Sequence, residues 1–258
     1  MLLAGTLDWG VIGNNLFSDL VLRGVRLTIV LTVLSMSIGA VLGTAFALLR
    51  GSRFSALRAA SIGYIWLFRG TPLLVQIVFW YFALPQLWPG WAPWNGQLSS
   101  FQAGLVALSV NQGAYMTEIM RAGLLSVDPG QAEAARSLGM TAPLTMRRIV
   151  LPQAMRVVIP PVGNEFIAML KNSSLVSVIS VSELFLVAKL QYSSTLRYLE
   201  WLIIVSIWYL ALTTLASVGQ AWLEQRFSRG RGRGERSAGI GERMARALGR
   251  LGRREIGA

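Results

Sequence analysis

Arg69 and Lys171 are cations inside long apolar runs, and Glu118 and Glu165 are the acids placed to lie at similar depth. An ionisable group within a membrane span costs roughly 2.5–3.5 kcal/mol on insertion scales, so it marks a pathway, a binding site or a partner charge. Lys171 is followed by Asn172, Ser173 and Ser174, a polar patch in an otherwise apolar stretch. Arg69 opens Arg69-Gly70-Thr71-Pro72, where Pro72 removes a backbone donor and can free a carbonyl to line a cavity. On a helix, positions 165, 168, 172 and 175 share one face and 164, 167, 171 and 175 an adjacent one, so Glu165 and Lys171 are not direct neighbours. Two readings stay open. Either Arg69, Glu165, Lys171, Asn172 and Ser173 surround a cavity for a polar solute, or the two cations satisfy helix-end carbonyls and pair with Glu118 or Glu165 to hold the bundle.

Composition closes most other chemistry. The 258 residues contain no Cys and no His, which excludes disulfides, thiol nucleophiles, Ser-His and Cys-His couples and HExxH zinc sites. No metal-ligand set is visible and no cofactor is expected. There is no G-x-x-x-x-G-K-[ST] phosphate loop, and the only lysines are Lys171 and Lys189, so ATP hydrolysis would have to come from another polypeptide. An intramembrane Ser-Lys hydrolase would have only Lys171 with Ser173 or Ser174, adjacent on one helix and badly placed for proton transfer. The chain is expected not to be an enzyme.

Membrane helices must position these residues. Hydrophobic residues make up 53% and charged residues 14%, with mean hydropathy +0.52, against about 25% charged in soluble domains. The apolar excess falls in five runs, 27–49, 57–87 (broken at 69–72), 101–122, 162–181 and 201–222; a crossing needs about 20 residues. The expected fold is all-α, a polytopic bundle of about five transmembrane helices over 23–227. Residues 1–22 lack a basic n-region and carry Asp8 and Asp19, which reads as an external interfacial segment rather than a signal peptide. From Arg226 onward there are ten Arg and three Glu. The tail 228–258 is expected to be disordered, cytoplasmic and near anionic lipid rather than nucleic acid.

Orientation follows from retention of positive loops in the cytoplasm. The loop 85–100 has no Lys or Arg and carries Trp88, Trp91 and Trp94, as an outer interfacial belt would. The loop between the third and fourth runs carries Arg136, Arg147, Arg148 and Arg156. Five crossings with the tail inside place the N-terminus outside, although Arg23 and Arg26 then fall on the outer side.

The segment 126–152 has the densest local punctuation. Asp128-Pro129 supplies an N-cap and a first-position proline, Gln131 to Leu138 continue as helix, and Gly139 suits a left-handed stop. Thr141 and Pro143 open a second short helix to about Val150, and Pro152 is expected to begin a new direction. Ala134, Ala135 and Leu138 would form a small apolar docking face, with Glu133 and Arg136 at its polar edge. Taken alone, Glu133 reads equally as a first-turn carboxylate favoured by the helix dipole.

The spacing Glu133-Ala134-Ala135, three residues, Gly139, nine residues, Ile149-Val150-Leu151-Pro152 resembles the EAA loop of ABC-importer permeases. Further marks are Phe68-Arg69-Gly70-Thr71-Pro72, Arg121-Ala122-Gly123, Leu151-Pro152-Gln153-Ala154, Gly163-Asn164-Glu165-Phe166 and Leu170-Lys171-Asn172-Ser173-Ser174-Leu175. Together they cover residues 22–227 and are most similar to the polar amino acid branch of that family. The resemblance implies a type I importer permease of the bacterial inner membrane. Its partners would be two cytoplasmic ATPase subunits, an extracytoplasmic solute-binding protein and a second permease copy or related subunit. In that family Glu133, Ala134, Ala135, Gly139, Ile149, Leu151 and Pro152 belong to the ATPase-coupling loop. Arg69 and Lys171 would then take the α-carboxylate of an amino acid, and Glu165 or neighbouring amide and hydroxyl oxygens its ammonium group. Asn172 replaces an Asp frequent in the family, which favours an acidic or neutral cargo over a cationic one. The competing reading is an ion-coupled secondary carrier, against which stand the EAA spacing and the lack of a visible inverted repeat.

Overall fold

The computed structural model describes residues 7–87 and 98–228, and every regular element among them is helical. The tryptophans of the 85–100 loop and the basic tail beyond Ser228 lie outside the described residues.

Asp8 caps α1 (Trp9–Asn15) by accepting from the amides of Gly10 and Val11. Ser18 then caps α2 (Asp19–Arg50), whose 32 residues reach about 48 Å at 1.5 Å per residue. The first crossing helix thus begins earlier than its apolar run. Arg23 lies on its first turns and pairs with Asp19 at 2.6 Å.

The second run is broken as its sequence implies: α3 (Ser55–Gly70) and the Leu73–Leu87 segment meet at 104°. That segment comprises α4 (Leu73–Val78), a π turn over Phe79–Ala83 and α5 (Leu84–Leu87). Then comes α6 (Ser100–Leu125), which opens with a capping box between Ser99 and Gln102. Asn111, Gln112 and Thr117 dilute its apolar content, and all three are buried because the other helices enclose α6. The helices α2 and α6 run side by side in the same direction. Gly39 faces Gln112, and a Cβ at Gly43 would fall 2.3 Å from Met116 Cβ and 2.8 Å from the Met116 carbonyl carbon. Small residues at this spacing bring two helix backbones together where lipid provides no hydrophobic drive.

Beyond α6 stand α7 (Pro129–Ser137) and α8 (Ala142–Thr145), then a π turn over Met146–Val150 leading into α9 (Leu151–Asn172). This corrects the sequence expectation twice. The fourth crossing helix starts at Leu151 rather than Val162, and Pro152 does not turn the chain. An α-helix would aim the missing Pro152 amide at the carbonyl four residues back. The π turn instead lets the Leu151 amide donate to the Met146 carbonyl five back, so the chain stays helical through Pro152.

After α9 the helix tightens into a 3-10 segment, Ser173–Ile179, and meets α10 (Leu184–Thr195) at 50°. The apolar pattern had not separated this last helix. The break is sealed by Glu183, fully buried, whose carboxylate accepts from the amides of Phe185 and Leu186 (both 2.8 Å) and from the Tyr209 hydroxyl (3.1 Å). The chain ends its described part in α11 (Tyr198–Ser228). Both α2 and α11 are long and apolar enough to cross a membrane alone, and the two bent pairs qualify as further crossings. With α6 among them they form the expected bundle, and α2, α6 and α11 all finish at the end that carries residues 126–152.

Candidate functional site

The polar cavity begins with the backbone break. Pro72 has no amide to offer the carbonyl of Phe68, four residues back. Two side chains supply the missing donors: Gln76 Nε2 at 2.9 Å and Asn111 Nδ2 at 2.8 Å both reach Phe68 O. Asn111 also donates to Gln76 Oε1 at 3.1 Å, and Thr71 Oγ1 donates to Leu67 O at 2.8 Å. The freed carbonyl is therefore capped by buried amides rather than left facing the cavity, as an unsatisfied acceptor at this depth would be costly.

Around this stitched corner lies a cavity of about 520 Å³ lined by Arg69, Asn111, Gln112, Tyr115, Glu165 and Asn172, together with the 70–73 backbone. The Arg69 guanidinium pairs with Glu118 and sits 5.0 Å from the centre of the Tyr115 ring. Glu165 accepts from Gln112 Nε2 at 3.2 Å and, among the described residues, makes no ion pair. The structure thus brings Arg69, Glu165 and Asn172 to one cavity. Lys171 does not line it; the residue is exposed and one position off the Glu165–Asn172 face. Ser173 lies elsewhere, fully buried, with its hydroxyl donating to Leu170 O at 2.8 Å. Gln76, Asn111, Gln112 and Tyr115 were not singled out from sequence. Their signal was present as amides inside apolar runs, which need a reason as charges do.

The second cluster is the 126–152 segment. Asp128 Oδ1 accepts from the Gly130 amide at 2.8 Å, and Pro129 takes the first helical position. At the other end, Gly139 has φ +81°, with its amide donating to Arg136 O (2.9 Å) and the Met140 amide to Ala135 O (3.1 Å). These two bonds are the paired closure of a left-handed helix stop. Glu133 and Ala134 are exposed and Leu138 is 85% exposed. Ala135 is buried at 5%, packed inside the helix pair, so it cannot belong to the docking face expected for it. Ile149 sits in the π turn, and Leu151 and Pro152 are exposed at the start of α9. One turn further, Ala154 and Val158 press on Gly123 of α6, where an added Cβ would lie 2.2 Å from Val158 Cγ2. The exposed loop is thereby built as the outward extension of α9, the helix that carries Glu165 and Asn172.

The sequence profile described as "binding-protein-dependent transport system inner membrane component" matches residues 39–229. The chain belongs to this family. Relatives agree over most of its length. The arginine transport system permease protein ArgU of Corynebacterium glutamicum is 41% identical over 86% of this chain and 72% of its own. The probable glutamine ABC transporter permease protein GlnM of Bacillus subtilis is 39% identical over 78% and 90%. Among solved structures, one titled as an amino acid ABC transporter with histidines superposes with a TM-score of 0.77 at 40% identity, covering 86% of this chain and all of that one. The permease has the type I ABC-importer fold and is a multi-pass inner-membrane transport subunit rather than an enzyme. Such systems work with an ATPase and a binding protein, and ATP hydrolysis resides in the separate subunit. Membership in a binding-protein-dependent family decides against the secondary carrier.

Proposed function

We propose that the permease carries polar amino acids inward, passing them through the cavity between α3, α6 and α9. The observation that carries this reading is Glu165, a carboxylate at membrane depth with an amide partner and no ion-pair partner among the described residues. It is placed to receive an ammonium group. Arg69 is already balanced by Glu118, so the α-carboxylate falls to the Asn172 amide, with Lys171 adding its positive charge from outside the cavity wall, while Ser173 supports the turn below them. Glu133, Ala134, Gly139, Ile149, Leu151 and Pro152 form or frame the surface offered to the ATPase, with Ala135 holding the helix pair together. Two ATPase subunits, one extracytoplasmic binding protein and a second permease copy or related subunit complete the transporter. The loop lies on the cytoplasmic side together with the C-terminus, and the N-terminus lies outside, a reading supported by the arginines of the 126–156 segment.

The test is the purified complex with its binding protein in vesicles, assayed for ATP hydrolysis and uptake across neutral, acidic and basic amino acids. Stimulation by one polar class, with uptake that needs ATP, is the expected result. Uptake that follows an ion gradient without ATP, or no response to any amino acid, would overturn the reading.

A further inference from the structure

Along one flank of the bundle α9 and α11 pack closely, with Gln220 of α11 bonded to Pro160 O and Asn164 Oδ1 of α9, but α2 does not pack along α11, and a groove of about 690 Å³ remains between the three helices. This lies within the roughly 300–1,000 Å³ typical of ligand sites. Small side chains leave room for it: Ala40 on α2 and Ala216 and Gly219 on α11 form part of its walls, whereas Gly163 on α9 serves the contact with α11, a Cβ there falling 2.5 Å from Gln220 Cγ. A Cβ added at Gly219 would meet nothing within 4 Å, so the space is open rather than packed. The lining is almost wholly apolar. At this depth the surrounding medium is hydrocarbon.

The mouth at the loop end has a different character. Trp222 lines the groove, and Arg226, one turn further, holds its guanidinium carbon 5.5 Å from the Trp222 ring centre. On α9, Arg156 continues the face of Ile159 and Gly163 and is exposed. The acid nearby on α11, Glu224, is engaged by Gln220 Nε2 at 2.8 Å. An occupant must therefore be apolar along its length and anionic at this end. A helix from a second copy does not fit that demand. Two copies inserted in the same sense would bring the arginines that end α2 and α11, Arg50 and Arg226, toward Arg156 and Arg226.

We propose that this groove seats an acyl chain of an anionic phospholipid, with Arg156 and Arg226 holding its phosphate. Neither the transport reading nor the polar cavity is needed for it.

The experiment reconstitutes the assembled transporter in phosphatidylcholine vesicles containing phosphatidylglycerol, either lipid carrying a photoreactive acyl chain, and maps the adducts by peptide mass spectrometry. Adducts should concentrate on residues 33–40 and 216–223. Gly219→Leu, which fills the groove, should remove them, and the milder Gly219→Ala should reduce them, with assembly unchanged. Arg156→Gln and Arg226→Gln should each lower the preference for phosphatidylglycerol over phosphatidylcholine about fivefold. Adducts spread evenly around the bundle and indifferent to Gly219→Leu would overturn the proposal. So would a disulfide-linked dimer through Gly219→Cys, the sole thiol of such a variant, with the groove unlabelled, since the occupant would then be a second copy.

Discussion

At Asp8 and Arg197 one pair of charges ties the first helix to the last. The Arg197 guanidinium, 2.7 Å from Asp8 Oδ2, holds the Asp8 carboxyl below the usual aspartate range, helped by the amides of Val11 and Gly10. A carboxyl depressed on folding contributes stability that is complete above its unfolded pKa, about 3.9, and is lost as pH falls through the lower folded value. The protection of the α1 amides, their exchange relative to the intrinsic rate at each pH, should therefore fall below about pH 4, whereas in Asp8→Asn it should already be lower at neutral pH and lack that acid step. An acid step that survives in Asp8→Asn would assign it to another group. In the polar cavity, Glu165→Gln keeps the hydrogen bond from Gln112 as far as shape allows but removes the charge. A hydrogen bond to a charged group is worth about 1.5–3 kcal/mol, so the substrate concentration for half-maximal uptake should rise about tenfold or more with the complex intact. Lys171→Met should weaken uptake in the same assay while leaving basal ATP hydrolysis in place. If either variant instead fails to assemble, that side chain holds the bundle rather than the cargo.

At the scale of elements, the contact between α6 and α9 turns on Gly123. Gly123→Ala would drive a methyl to within 2.2 Å of Val158 Cγ2, and overpacking of this kind costs typically 1–3 kcal/mol. The nearest obstacle is the Val158 side chain, with the Ala154 carbonyl oxygen behind it at 3.3 Å, so Val158→Ala in the same chain should restore much of the loss in thermal unfolding of the complex. Simple addition of the two penalties would contradict a direct clash. Gly139 fails differently. Nothing lies near the position of its Cβ, yet φ +81° is a conformation that β-branched residues avoid at about 1–2 kcal/mol. Gly139→Val should leave membrane insertion intact and reduce ATPase binding and uptake together. Normal values for both would remove the 133–152 segment from the coupling role.

For the whole molecule, the nine arginines beyond Ser228 follow the last described helix in the sequence and belong to neither the cavity-lining nor the loop segments. Truncation after Ser228 should leave uptake within about twofold of the intact protein, since surface charge near a leaflet acts on attachment at about 1 kcal/mol per residue. Loss of uptake in a correctly inserted truncation would give the tail a part in assembly or regulation. The helical class, the crossing runs, the break at Gly70 to Pro72 and the loop with its Asp128 cap and Gly139 stop were all legible in the sequence, because each rests on residues near one another in the chain: run length, a missing amide, a side chain reaching its own helix end. The start of α9 at Leu151 was not, since a π turn absorbed the proline that local rules read as a change of direction. Nor was α10, whose entry is set by Glu183 meeting Tyr209 across the fold. Arg69 had Glu118 and Glu165 as candidate partners, and Pro72 left a carbonyl whose donors could not be named. Those outcomes depend on how α3, α6 and α9 are rotated about their axes. Rotation is fixed by close approaches such as Gly43 on Met116 and Gly123 on Val158, contacts between residues far apart in the chain, so the pairing of charges and the shape of the cavity were decided only by the tertiary structure.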